Sequence, residues 1–235
     1  ASIKINNINA IAVTYGAGLK GALLVGLNFA KGMSIALGIP YIGINHLEGH
    51  LFSNIMENSE IKFPFISLIV SGGHTQIWKV NNIGEYILLA NTVDDAAGEA
   101  FDKGARLLGL PYPGGPEIEK ISETGNSSYV IFPRPKVKES KYDFSFSGLK
   151  TSLMYYLKGI DENKISENIS HIAASYQEAI IDTLLNRLEI ITKDQQIDNV
   201  SIAGGVAANK RFREKSEELS RENKINIYFP DFEFC

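Results

Sequence analysis

His46 and His50 stand in the string Asn45-His46-Leu47-Glu48-Gly49-His50, and Val70-Ser71-Gly72-Gly73-His74-Thr75 follows a short way along the chain. Side chains at i and i+4 of a helix lie ~40° apart around its axis, close enough to share a metal ion. The plain alternative is a pair of ordinary helix histidines, and a metal would need a third ligand from elsewhere. Glu48, at i+2, points ~200° away from His46. The order H-x-E-x-H therefore differs from the H-E-x-x-H of a metalloprotease, whose glutamate faces the metal as general base.

The turn Ser71-Gly72-Gly73 closes an apolar strand pattern, and glycines there let backbone N–H groups approach a phosphate that any Cβ would hold off. Taken alone it also fits a plain hairpin turn. A second such string, Ile202-Ala203-Gly204-Gly205-Val206-Ala207-Ala208-Asn209, runs from a strand through paired glycines towards a helix N-terminus, where free N–H groups and the helix dipole favour an anion. Two Gly-Gly turns in separate strand units suggest a bound nucleotide.

Asp95, Glu99 and Asp102 fall at i, i+4 and i+7 of one helical pattern, with Arg106 at i+11. Their mutual repulsion, a few tenths of a kcal/mol per pair, is open to relief by a metal, by ribose hydroxyls or by Arg106, although a solvated helix face carries the same spacing. Tyr112-Pro113-Gly114-Gly115-Pro116 reads as a rigid helix stop. Arg134, Lys136, Lys138 and Lys141 make a loose basic segment that fits either a nucleic-acid backbone or ordinary surface charge.

The elements that must position these groups follow from apolar periodicity. Strands are expected at 11–15, 40–44, 65–70, 75–80, 200–203 and 225–229. Helices are expected at 19–37, packed closely against its neighbours, from Asn45 as N-cap through the histidines, and at 94–110, 169–191 and 207–221. The alternation without repeats predicts an α/β fold, with a division near Lys62 into 1–62, carrying the histidine motif, and 63–235, carrying both Gly-Gly loops.

With 235 residues, 44% of them apolar, the chain is long enough to bury a sizeable core. A net charge of −4 argues against a generic DNA-coating protein. One cysteine, Cys235, leaves no intramolecular disulfide and fits a reducing cytoplasm. The longest apolar runs are too short to cross a bilayer, so no membrane association is expected. The start Ala1-Ser2-Ile3-Lys4 lacks an initiator Met and an apolar core segment, so no signal peptide is expected from these residues.

Taken together, Ile11 to Gly16, the His46–His50 motif, Val70 to Gln76, Asp94 to Lys103, Tyr112 to Pro116, Phe132 to Pro135, Asp143 to Lys150 and Ala203 to Asn209 resemble one family over nearly the whole chain. That family is the tRNA adenosine threonylcarbamoyltransferases (TsaD, formerly Gcp or YgjD, once labelled an O-sialoglycoprotein endopeptidase). The resemblance implies the actin/Hsp70-like (ASKHA) fold of two RNase H-like lobes around a nucleotide cleft. It implies a metal-dependent acyltransferase that moves threonylcarbamoyl from threonylcarbamoyl-adenylate to the amine of the adenosine next to the anticodon. Carried over by position, His46 and His50 become ligands of a divalent metal, iron or else zinc. Ile69, Val70, Ser71, Gly72 and Gly73 become the phosphate and carbamoyl contact, and Asp102, Gly115, Glu119 and Asn209 hold the adenylate or ATP. The implied partners are tRNA, an adenylate-forming enzyme, and TsaB-like and TsaE-like subunits, all cytoplasmic.

The match breaks in three places. The family's opening Gly-Ile-Glu-Thr-Ser-Cys phosphate loop and its closing Thr-Asp-Asn, whose Asp is the third metal ligand, have no counterpart here, and Gly16-Ala17-Gly18 replaces Gly-Pro-Gly. On that pattern the chain reads as truncated at both ends, with an incomplete first lobe whose exposed strand edge invites self-association and with its own catalysis in doubt. Two other classes stay open on the residues: a non-catalytic nucleotide- or partner-binding module of the same complex, and a metalloprotease.

Overall fold

The computed structural model describes residues 4–58 and 60–231; Ala1-Ser2-Ile3 and Cys235, on which two of the expectations above fall, lie outside the described residues. Two compact units divide the chain, Ala1–Ser53 and Asn54–Cys235.

In the first unit, β1 (Ile11–Gly16) and β2 (Tyr41–Asn45) pair in parallel, Ile11 opposite Tyr41 and Val13 opposite Gly43, joined by α1 (Lys20–Leu37). Gly38 ends α1 in the left-handed conformation that glycine adopts without steric cost (φ 63°), its N–H bonding to the Ser34 carbonyl. The close packing expected of α1 is not found: only Ala30 is buried, while Leu24, Val25, Phe29 and Ile35 are exposed. Two strands can cover only one narrow stripe of an 18-residue helix. α2 (His46–Glu57) starts in this unit, and the Asn45 carboxamide oxygen accepts from the Leu47 N–H at 2.9 Å, the N-cap its position foretold.

The second unit is built on five strands: β3 (Phe65–Val70), β4 (Thr75–Asn82), β5 (Glu85–Asn91), β6 (Asn199–Ala203) and β7 (Asn226–Tyr228), in the order β5-β4-β3-β6-β7. The β3–β4 and β4–β5 pairs are antiparallel, while β3–β6 and β6–β7 are parallel, with Leu68 opposite both Ile77 and Ile202. Three antiparallel strands followed by two parallel ones across the middle is the RNase H-like arrangement. β3, central and apolar at five of six positions, is buried throughout. Its Ile66, Leu68 and Val70, with Ile180, Leu184 and Leu188 of the long helix, belong to one core, each contributing about 1.5–3 kcal/mol by leaving water.

Between β5 and β6 run α3 (Ala97–Leu107), α4 (Gly114–Ser122), α5 (Ser147–Lys158) and α6 (Glu162–Gln195), and α7 (Lys210–Asn223) joins β6 to β7. α3 begins later than its pattern suggests. Asp94 is drawn off to accept from Ser145 Oγ (2.6 Å), Ser147 Oγ (2.7 Å) and the Phe146 N–H (2.7 Å), fixing the start of α5. Asp95 therefore lies outside α3, and it is Lys103, 2.6 Å from Asp95 and 2.8 Å from Glu99, that offsets the acidic row rather than Arg106.

Among the described residues no helix is long and apolar enough to cross a membrane.

Candidate functional site

In the second unit the two Gly-Gly turns come together. Ser71 to His74 turn β3 into β4: the Ser71 N–H bonds the His74 carbonyl at 2.8 Å, and the Ser71 hydroxyl accepts from the His74 N–H at 3.1 Å. Gly204 leaves β6 at φ 99°, and a Cβ there would run into the Val70 carbonyl, so only glycine lets this strand end lie against β3. The first turn of α3 closes on the same place. Gly98 N–H bonds the Ser71 carbonyl at 3.2 Å, and a Cβ on Gly98 would stand 2.7 Å from that oxygen and 2.8 Å from Gly72 Cα.

These elements border a cavity of about 320 Å³, the size of a small-molecule site. Gly72 comes to it from the first turn, and Gly205, Val206 and Asn209 from the second. Phe101 and Asp102 come from α3, and Tyr112, Gly115 and Glu119 from the segment that opens α4. One Asp102 carboxylate oxygen accepts the Gly114 N–H at 2.7 Å, so the acid also fixes the start of α4. A Glu119 carboxylate oxygen accepts the Lys210 N–H at 3.2 Å. Asn209 is used at both ends: its oxygen accepts from the Phe212 N–H at 2.9 Å as N-cap of α7, and its nitrogen donates to Gln177 Oε1 at 2.8 Å.

The structure thus gathers Gly72, Asp102, Gly115, Glu119 and Asn209 around one cavity. Ile69 and Val70 are fully buried in β3, and Ser71 and Gly73 lie in the turn beside it. The region after the second turn differs in detail from the expected helix at Ala207. Gly205–Ala208 form a 3₁₀ turn, and α7 starts only after its cap, Asn209.

Gly98, Tyr112 and Gln177 were missed. Gly98 had a signal, an isolated glycine within a helical pattern, which marks close approach; Gln177 had none, since its partner is 32 positions away.

In the first unit the His46 and His50 rings stand with centroids 4.6 Å apart and planes at 60°. That spacing on one helix face fits two positions of a metal's coordination sphere. Among the described residues, no group of three or more His, Cys, Asp or Glu side chains is placed to hold a metal.

Of the basic segment, Arg134 binds Asp182 through Nε (3.0 Å) and Nη2 (2.6 Å), and Lys141 binds Asp194 (2.5 Å), which leaves exposed Lys136 and Lys138 as its outward charges. Beside the cavity, Glu178 accepts from Arg211 (2.9 Å) and Lys215 (2.7 Å). Burial works to raise the Glu178 pKa, but the Arg211 and Lys215 hydrogen bonds outweigh it and hold the carboxyl below its ordinary range.

Compared with known proteins, the chain matches over residues 1–235 the model of the TsaD family, described as tRNA N6-adenosine threonylcarbamoyltransferase. Curated relatives of that name include those of Thermosipho africanus and Kosmotoga olearia, each 49% identical over the whole of this chain and covered over 71% and 70% of their own length. The Fervidobacterium nodosum relative is 51% identical, with 70% of it covered. Among solved structures, full-length HypF in its phosphate- and nucleotide-bound form superposes with a TM-score of 0.67 at 16% identity, over 95% of this chain and 44% of that one. That last likeness supports the ASKHA-type fold.

Proposed function

Because this chain belongs to the tRNA N6-adenosine threonylcarbamoyltransferase family, we propose that it acts in tRNA modification as an acyltransferase, taking threonylcarbamoyl from threonylcarbamoyl-adenylate. The acceptor is the exocyclic amine of the adenosine next to the anticodon. The observation that carries this reading is the cavity of about 320 Å³ on which both Gly-Gly turns, Asp102 and Asn209 converge.

In the reaction the amine nitrogen forms a bond to the carbamoyl carbon, the bond from that carbon to the phosphate oxygen breaks, and AMP leaves with the electron pair. The proton lost by the amine passes to solvent. Gly72 and Gly205 allow backbone N–H groups close to the phosphate, where donors aimed at developing negative charge stabilise the transition state. The Asp102 carboxylate, with Glu119 beside it, is suited to accept from ribose hydroxyls. The Asn209 nitrogen carries two hydrogens, and the one not given to Gln177 is available to the nucleotide. His46 and His50 would hold iron or zinc, a Lewis acid when bound. The donor adenylate is a mixed anhydride, so an ATP-consuming, adenylate-forming enzyme must supply it. That enzyme, with TsaB-like and TsaE-like subunits and a cytoplasmic setting, completes the proposal.

The test is transfer of labelled threonylcarbamoyl from preformed adenylate to tRNA by the full-length protein with its partner subunits. Incorporation that Asp102→Ala lowers about tenfold or more at sub-saturating adenylate supports the reading. No incorporation by the unaltered protein, or full incorporation by the variant, overturns it.

A further inference from the structure

At the centre of α6, three consecutive side chains each bind a different part of the second unit. Tyr176 Oη donates to the Ala100 carbonyl of α3 at 3.0 Å, Gln177 Oε1 accepts from Asn209, and Glu178 takes the α7 cations. Gln177 is 4% exposed. It does not border the nucleotide cavity, but stands behind Asn209 in the wall of a neighbouring one.

The hydrogen bonds run in a fixed order. The Asn209 oxygen must face the Phe212 N–H, which can only donate, so the Asn209 nitrogen must face outward from the cap. The group meeting that nitrogen must be an acceptor, and the Gln177 oxygen fills this role at 2.8 Å. With both ends held, the carboxamide has a single orientation, and its second N–H has a single direction. Without the Gln177 oxygen, only the cap remains, and the amide plane is free to turn about it.

We propose that Gln177 is a positioning residue for the nucleotide site, acting through Asn209 without touching the ligand itself. This rests on the reading of the cavity as a nucleotide site, and the test separates the two.

In the full-length protein, ATP affinity is measured by calorimetry for Gln177→Met, Gln177→Glu, Asn209→Ala and the Gln177→Met/Asn209→Ala pair, each with its thermal midpoint. Methionine matches glutamine in length and accepts only weakly. Losing one hydrogen bond of ordinary strength weakens ATP binding roughly threefold to tenfold. Glutamate keeps an acceptor oxygen and holds affinity within about twofold by the same measure. In the Asn209→Ala background, Gln177→Met has no further effect, which general loosening of the fold would not produce. Unchanged affinity in Gln177→Met, an equal loss in Gln177→Glu, or an undiminished loss in the Asn209→Ala background overturns the proposal. Should Gln177→Met fail to fold, Gln177→Ala, which also removes the acceptor, takes its place with the same expected and overturning results. If Asn209→Ala binds ATP as the unaltered protein does, the reading of the cavity fails instead.

Discussion

Asp102 of α3 accepts the backbone N–H of Gly114 at 2.7 Å, so one carboxylate both borders the cavity and anchors the first turn of α4. The two roles separate by substitution. Asp102→Asn keeps an oxygen for Gly114 and removes the charge; Asp102→Ala removes both. Urea unfolding is expected to show the alanine variant less stable by about 1–2 kcal/mol, the usual loss of a capping acceptor, with the asparagine variant close to the unaltered protein. Both are expected to weaken ATP binding about tenfold, the scale of one hydrogen bond to a charged group. Full ATP affinity in Asp102→Asn would leave the carboxylate with only its structural role.

Two glycines near the cavity give opposite predictions. At Gly98 a Cβ would meet the Ser71 carbonyl at 2.7 Å and Gly72 Cα at 2.8 Å, whereas at Gly115 nothing lies within 4 Å. Gly98→Ala must push the Ser71–Gly72 turn aside, with an expected loss of about 1–3 kcal/mol, the range for overpacking, together with weaker ATP binding. Gly115→Ala sits in the first turn of α4, where alanine costs the helix nothing. Its added methyl meets no atom within 4 Å at a residue that borders the cavity, so ATP affinity is expected to fall and the unfolding midpoint to hold. Equal midpoints for the two variants would refute the close approach of α3 to the Ser71–Gly72 turn.

The sequence is most readable where a local pattern decides the structure. The apolar run 65–70, the Asn45 cap and the Gly204-Gly205 break each act through neighbours a few positions away. β5 escaped that reading although it carries a signal: Gly84, at φ 81°, closes a tight turn from Asn82 to Glu85. As an edge strand, β5 is mostly exposed. α4 was hidden by Pro113 and Pro116, read as a stop. Both proline nitrogens sit at the very start of the helix, where an N–H has no intrahelical partner to lose. The late start of α3 and the Gln177–Asn209 pair depend on contacts of 51 and 32 positions' separation, beyond the reach of any local pattern.

The histidine pair gives a prediction that needs no activity. His46 is exposed and His50 half-buried, so changing both to alanine is expected to leave stability within about 0.5 kcal/mol, as for other surface positions. Metal content of the full-length protein, measured by plasma spectrometry after purification, is expected to fall to background in that double variant. Retained metal would place the ligands elsewhere.

Acid stability tests the charge network beside the cavity. Burial works to raise the pKa values of Glu178 and Asp94. Hydrogen bonds from Arg211 and Lys215 to the first, and from Ser145, Phe146 and Ser147 to the second, outweigh it and lower both. When the folded value lies below the unfolded one, the unfolded chain binds protons first as pH falls. The stability these groups contribute is therefore fully present above the ordinary carboxylate range of about 4 and is lost as pH falls through their lower folded values. Glu178→Gln cannot ionise and lacks that contribution at every pH. Its urea midpoint is expected to lie well below that of the unaltered protein at neutral pH, and the gap is expected to narrow steadily below about pH 4. Two curves that stay parallel down to the acid limit would mean that Glu178 titrates alike in the folded and unfolded chains, and that Arg211 and Lys215 do not favour its charged form.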